Sequence, residues 1–372
     1  MQVKASIKSL QEDFPAGIPQ CGSDALRFGL LAYTVQGNDV NLDIKRVVGY
    51  RQFCNKIWNA IKFALTYVSD FEPSPNMIKE VLAAGSPAGT RDRAILSTLN
   101  RLVGDVNTKM AAYVFGDVVQ DLYAWFMDQF CDVYLELVKP VVFDETDVNA
   151  PARRCVKITL YHCLETYLRL IHPMMPFVSE ELWQRLPNKT ALTQVPSIMI
   201  APYPESDDAM PDANAEADLA LVIDAVRSAR HTKVECNIPP RATPTFYYIA
   251  TGPAAQSMAG LEKDFCTLVK PGSFGPAPKT PPASCTVTIV NQDLQLLMDM
   301  AGSIDKEKEG ARLTKEIMRL EPELDKYERK VKEPEYSTKV PPKVQELNSA
   351  KIFSLKAELE TVRAALLKLD AM

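Results

Sequence analysis

The sequence predicts a mainly α protein: an antiparallel helix bundle, then a small α+β module, then a C-terminal antiparallel coiled-coil hairpin. Three observations carry that prediction. Amphipathic runs at 49–69, 91–112, 116–138, 152–171 and 176–186 place apolar residues at helical spacing, with Pro/Gly-rich breaks such as FEPSPN and GSPAG between runs. From about 188 to 302, proline and alanine become frequent and two β-like runs appear, TPTFYYIA (243–250) and SCTVTIV (284–290). From 303 onward, Leu313, Ile317, Leu320, Leu324, Tyr327 and Val331 alternate spacings of four and three. Ile352, Leu355, Leu359, Val362, Leu366 and Leu369 do the same, so EPEYSTKVPPK joins two heptad stripes.

Taken in order, residues 1–48 form a leader with one clear helix at 23–33. Residues 49–187 are helical throughout, and short connections between long amphipathic helices make neighbours antiparallel. Within them Leu122, Trp125, Phe126, Phe130, Val133, Tyr134 and Leu137 form a core stripe. His172-Pro173 ends one helix and Pro176 opens the next, with Glu180 and Glu181 near its positive end. His172 reads as a buried or capping residue and the two glutamates as structural, since nothing beside them supplies a nucleophile. Residues 188–302 carry a helix at 212–231, the two β-like runs and a helix at 254–269 between them. The phrase KVECNIPPR (233–241) reads as a rigid elbow. Residues 303–372 are the hairpin. Pro322 interrupts its first helix, so the sequence predicts a bend at Glu321–Pro322 or a later helix start.

The chain has 372 residues, 47% hydrophobic and 24% charged, enough for two or three domains and ordinary for a globular protein. No run approaches the roughly 18 unbroken apolar residues that span a bilayer, and the opening MQVKASIKSLQEDF is too polar for a signal peptide. Eight cysteines are scattered with no C-x-x-C pair, so neither zinc nor a disulfide framework is indicated. A cytoplasmic protein with no membrane partner is expected. A net charge of −5 argues mildly against a nucleic-acid binder, although local basic strips can hold RNA on an acidic protein.

Such a strip is present in GYRQFCNKIWNAIKFAL (49–65). Phe53, Ile57, Ala60, Ile61 and Ala64 share one helical face and form an ordinary core stripe. Arg51, Asn55, Trp58 and Lys62 share the opposite one, with Asn59 next to them, and Lys56 of the same helix is a further candidate contact. A basic, amide-bearing face with an indole in its middle suits a phosphate backbone by charge and a base by its flat surface. The alternative is that Trp58 packs on a neighbouring helix and the charges are merely solvated.

The company this helix keeps favours the first reading. SDALRFGLL (23–31), DLYAWFMDQFCDVYLELVKP (121–140) and LRLIHPMMPFVSEELWQRLP (168–187) flank it in order. They resemble the region after the active site of class I aminoacyl-tRNA synthetases of the valine, isoleucine and leucine group. FPAGIPQCGSDALRFGLLAYTVQG (14–37) with NLDIKRVVGYRQFCNKIWNA (41–60) is specifically similar to eukaryotic-type valyl-tRNA synthetases. The absence of paired cysteines weighs against an isoleucyl relative.

The resemblance implies a helical anticodon-binding bundle at 49–187 and a tRNA-binding arm at 303–372. Arg27 is then a candidate phosphate contact, with a salt bridge to Asp24 or Asp39 as the alternative. Arg91, Arg101 and Lys109 are further candidates beside the anticodon stem. On the arm, the candidates for the tRNA elbow are Lys315, Arg319, Lys326, Lys330, Lys332 and Lys339. The implied partners are valine tRNA and a catalytic domain or another synthetase-associated protein.

The family's ATP site carries an H-I-G-H-type motif and a K-M-S-K-S-type loop, and this sequence contains neither. Its histidines lie in YHCLE, IHPMM and RHTKV, and VKASIKSL (3–10) lacks the loop's spacing. The editing domain is absent as well. By resemblance the chain starts just after that loop, so no catalytic residue is expected. No cofactor is expected in this chain, with ATP belonging to the full-length family, and the chain alone is expected to be inactive. The second reading is a non-catalytic RNA-binding or scaffold module whose coiled coil recruits a protein. Near-balance of acidic and basic residues in the hairpin speaks for it.

Overall fold

The computed structural model describes residues 14–34, 43–187, 194–300 apart from 237, 240 and 283, the helix 306–331, and scattered positions of the arm between 336 and 363. The chain divides into two compact units: residues 1–223 with 263–268, and residues 224–262 with 269–372.

The first unit is built on helices α1 (Ser23–Ala32), α2 (Ile44–Val68), α3 (Met77–Leu82), α4 (Thr90–Ala111), α5 (Phe115–Ala124), α6 (Leu135–Val142), α7 (Ala150–Ile171) and α8 (Pro176–Trp183). The sequence reading finds these apart from α3, a six-residue turn too short to show periodicity, and α6, whose first half it merges with α5 in the run 116–138. Start signals are local. Asp43 caps α2 by accepting from the Lys45 N–H at 2.9 Å. Asp24 reaches across the fold to accept from the N–H groups of Phe177 and Val178, at 3.2 and 2.7 Å, and so caps α8. That commitment, rather than a salt bridge to Arg27, is what the Asp24 carboxylate does.

Between α5 and α6 the chain runs without interruption through a π-helix, Trp125–Tyr134. Its wider winding advances roughly 80° per residue instead of 100°. Trp125, Phe126, Phe130 and Tyr134 therefore gather on one side, where α-helical winding would spread them over roughly half the circumference. All four are buried, and Trp125 and Phe126 stack on Tyr167 of α7 at ring separations of 5.6 and 4.6 Å. The predicted core stripe is thus in place except Val133, which is half-buried. Polar tips find partners: Trp125 Nε1–H donates to Thr98 Oγ1 and the Tyr167 hydroxyl to the Leu122 carbonyl.

Asp92 is the most deeply buried carboxylate among the described residues of this core, 1% exposed. It accepts from the Gly89 N–H at the start of α4 and from the Tyr134 hydroxyl, each at 2.8 Å, while burial pushes its pKa up. Residues 194–212 are laced to the bundle by side-chain bonds to backbone. Asn100 exchanges two bonds with Asp207, Asn107 donates to the Pro204 carbonyl, and Glu180 accepts from Ser197 Oγ and the Ile198 N–H. Glu180 is accordingly structural.

The second unit contains most of α9 (Ala213–Glu235), β1 (Thr245–Ala250), α10 (Gly252–Gly260), β2 (Phe274–Pro276), β3 (Cys285–Ile289), β4 (Leu294–Asp299) and α12 (Lys306–Val331). The single helix expected at 254–269 is two, α10 and α11 (Glu262–Val269), broken at Leu261. The sheet order is β2-β1-β4-β3, with β2 parallel to β1 and the other pairs antiparallel. Strands β2 and β4 escape the sequence reading. SFGPAP has no strand pattern, and LQLLMD carries no β-branched residue, yet β4 is the buried central strand. At Gly272 an added Cβ would lie 2.5 Å from the Thr243 carbonyl oxygen, so the approach of β2 to β1 requires glycine.

In the arm, Leu320, Leu355 and Leu359 bury one another with Leu324 and Tyr327 at their margin. Arg363 pairs with Glu321 and Lys356 with Glu328, and Asn348 donates to the Tyr336 hydroxyl. Advancing along the first helix moves back along the second, which is antiparallel register. Helix α12 runs continuously through Pro322, so the expected later start does not occur. Pro322 is exposed, and the carbonyl it leaves without its helical donor belongs to Met318, a residue 67% exposed.

Replacing Asp92 with alanine orphans the Tyr134 hydroxyl and the Gly89 N–H inside the core. Urea unfolding monitored by circular dichroism is expected to show a loss of about 2–4 kcal/mol, against about 1 kcal/mol for Tyr134→Phe.

Candidate nucleic-acid interface

Helix α2 divides as its sequence pattern demands. Phe53, Ile57, Ala60, Ile61 and Ala64 are buried, and Arg51, Asn55, Asn59 and Lys62 are exposed. Among the described residues, Arg51 and Lys62 make no ion pair. Asn55 keeps one long bond to Gln52, at 3.5 Å. Lys56 lies off this strip: its ammonium is 3.5 Å from Asp132 on the π-helix.

Trp58 is half-buried against the core, and one ring face is covered by the Arg185 guanidinium, 5.0 Å from the ring centroid. Arg185 also pairs with Glu181 one turn earlier. The indole forms a wall shared by two clefts. One, of about 420 Å³, lies where α1, α2 and α8 meet and includes Arg51, Asn55 and the exposed ring of Phe177. The other, of about 310 Å³, is lined by Lys62, Leu65, Thr66, Leu182 and Arg185. Arg185 and Phe177 are the members that sequence reasoning missed. Both lie on or just past α8, far from α2 in sequence, and no periodicity within α2 could reveal them.

The other candidates of the first unit serve the fold. Arg27 donates to the carbonyls of Met174 and Pro173, at 3.3 and 2.8 Å, in the turn after α7. Arg101 pairs with Glu216 at 2.7 Å and Arg91 with Asp264 at 2.8 Å. Lys109 pairs with Asp121 at 2.5 Å, a hydrogen bond that raises its pKa. The basic patch expected on the second helix is therefore neutralised by carboxylates that only folding brings near. On the arm Lys315, Lys326 and Lys330 are exposed and Arg319 lies 3.7 Å from Glu323, while Lys332 and Lys339 fall outside the described residues.

Among the described residues, the histidine nearest these clefts, His172, is engaged in the fold. His172 Nδ1 lies 2.7 Å from Ser179 Oγ, whose proton goes to the Met175 carbonyl, and burial lowers the imidazole pKa. All eight cysteines are free, with the Cys54 and Cys131 thiols pushed up to about 11 and about 12 by burial. Among the described residues no His/Cys/Asp/Glu cluster could hold a metal, and no helix is long and apolar enough to cross a membrane.

Comparison with known proteins assigns this architecture. Residues 92–248 match the anticodon-binding domain of tRNA ligases, and residues 305–370 match the valyl-tRNA synthetase tRNA-binding arm. The chain belongs to the valyl-tRNA synthetase family. It is 35% identical over 373 residues to a valine–tRNA ligase of Takifugu rubripes, covering 98% of this chain and 30% of that protein. The human valine–tRNA ligase is 36% identical over 373 residues, covering 98% and 28%. A mitochondrial valine–tRNA ligase of Arabidopsis thaliana is 34% identical over 356 residues, covering 94% and 32%. The chain thus spans about a third of the length of these relatives. It corresponds to the portion of these relatives that carries the anticodon-binding domain and the tRNA-binding arm, and the α2 strip precedes the matched anticodon-binding segment in the chain.

A half-buried histidine sets a pH limit on this part. Burial, reinforced by Arg169, pushes His162 down to about 4 from 6.5. The unfolded chain takes up that proton first, so stability holds above the unfolded value and falls as pH drops from about 6.5 toward about 4. Relative to His162→Gln, the native chain is expected to lose on the order of 2 kcal/mol between about pH 7 and about pH 5. Parallel thermal melts of the two proteins check it.

Proposed function

We propose that this chain docks valine tRNA through two separate surfaces, the α2 strip and the arm. The observation that carries the reading is the α2 face: Arg51 and Lys62, unpaired among the described residues, flank an indole that borders two clefts. On this reading Arg51 and Lys62 hold phosphates, while Asn55, Asn59 and Trp58 meet unstacked bases of the anticodon loop. Arg185 adds a stacking cation. Lys315, Arg319, Lys326 and Lys330 meet the tRNA elbow through charge alone. Arg27, Lys56 and Arg101 support the fold instead.

The family's reaction, attachment of valine to tRNA using ATP, would then be carried out by a catalytic domain to which this part presents its tRNA. Residues 49–187 would read the anticodon arm, 188–302 would connect, and 303–372 would brace the elbow. A cytoplasmic setting agrees with the free cysteines.

The test is fluorescence anisotropy of this chain with valine tRNA and with the same tRNA carrying a replaced anticodon, at two salt concentrations. Preference for the valine anticodon is expected, with affinity falling steeply as salt rises; equal binding to both tRNAs would overturn anticodon readout. Substituting Arg51 and Lys62 together with alanine is expected to weaken binding roughly tenfold or more at low salt. The same change should reduce the salt slope by about 2. Trp58→Ala should instead narrow the difference between the two tRNAs by about 1–3 kcal/mol, in a protein whose circular dichroism is unchanged.

A further inference from the structure

The sheet of the second unit has two edges that differ in kind. Edge strand β2 is three residues long and ends in Pro276, which has no N–H to offer, so that edge is blunted. Edge strand β3 has no such protection. The stretch SCTVTIV contains no charge and no proline, and every residue of β3 is β-branched except Cys285.

Backbone bonding shows which way its polar groups point. The Met300 N–H donates to the Ser284 carbonyl and the Val290 N–H to the Leu294 carbonyl. Alternation in an antiparallel ladder then turns the N–H and C=O groups of Thr286 and Thr288 toward β4. Those of Val287 and Ile289 turn outward, away from β4. The Cys285 N–H is taken by the Pro282 carbonyl, which closes the outward run at that end.

The side chains of Val287 and Ile289 share one face with Tyr247, Ile249 and Leu297, as the register sets out. Leu297 is buried between its neighbours, but Val287 is 55%, Ile289 71% and Ile249 42% exposed. On the opposite face Phe246, Leu296 and Met298 are buried, and Thr288 hydrogen-bonds Thr232 of α9 at 2.7 Å. An outward ladder and an exposed apolar rim thus coincide on the same two residues.

We propose that β3 pairs antiparallel with β3 of a second copy of this chain, about a two-fold axis at Thr288. The pairing is self-complementary. Val287 of each copy lies opposite Ile289 of the other, so outward donors meet outward acceptors and apolar side chains meet apolar ones. With no charge in the strand, nothing repels its own copy, and the two sheets join into one continuous eight-stranded sheet. The contact is small, so the dimer is weak and forms with rising concentration.

Sedimentation velocity of the full chain without RNA, from about 1 to about 100 μM, tests this. A shift from monomer to dimer across that range is expected. Ile289→Lys, which places a charge on the exposed rim without touching the core, is expected to raise the dissociation constant at least roughly tenfold. Val287→Lys should act alike, and a shared melting temperature with the native chain shows that the fold persists. A chain that stays monomeric throughout overturns the proposal. So does dimerisation that both lysine variants leave unchanged, which would place the contact elsewhere, as on the arm.

Discussion

The bundle depends on one constraint: four large aromatic side chains from a single continuous helix must all reach the same buried layer. α-Helical winding would send Trp125 and Tyr134 to opposite sides, leaving one in water. The π segment closes that angle and stacks Trp125 and Phe126 on Tyr167. The same layer receives Phe53 from α2, whose ring packs on Phe126, and Phe28 of α1 packs in turn on Phe53. The inner face of α2 is thereby held, and its outer strip is presented on a rigid support. A recognition face on a helix with a locked inner side loses little freedom when it binds.

Charge follows a similar division of labour. Most arginines of the first unit spend their charge at home, on Glu216, Asp264 or backbone carbonyls. Each such pair fixes a segment distant in sequence, and each removes a cation from any phosphate-binding surface. Local basic character survives on α2 because, among the described residues, Arg51 and Lys62 enter no ion pair, the Asp24 carboxylate that shares the cleft with Arg51 being spent on the N-terminus of α8. A net charge of −5 and a locally basic helix face are thus compatible in one chain. The arm achieves the balance differently, with cross-helix pairs at half-exposed positions that set register more than stability.

The stacking of Arg185 on Trp58 links the interface to the fold. The indole keeps one side against the core, receives a guanidinium on its face and leaves its edges open to two clefts. A platform of this kind is sequence-tolerant by itself, because every base has a π-face. The exposed amides of Asn55 and Asn59 beside it are the directional hydrogen-bonding groups that the proposed readout relies on.

Period and punctuation made much of this legible beforehand. The 3.6-residue stripe of α2, the heptads of the arm and the alternating run of β1 record burial directly, since a side chain's face depends only on its position along a regular backbone, whereas in β3 the apolar Val287 and Ile289 are the exposed face. The family resemblance was legible for the same reason, in long contiguous motifs. Other features were decided only by the tertiary structure. Strand β4 has no β-like composition and exists because β1 and β3 flank it on both sides. Arg101 and Arg91 look like free cations until folding brings Glu216 and Asp264 beside them. Helix α12 passes through Pro322 on an exposed stretch of the helix, Met318 one turn before it being exposed as well, which heptad spacing cannot report. Residue spacing along one element determined which faces are apolar, whereas partners from elsewhere in the chain determined which polar groups were left over for function.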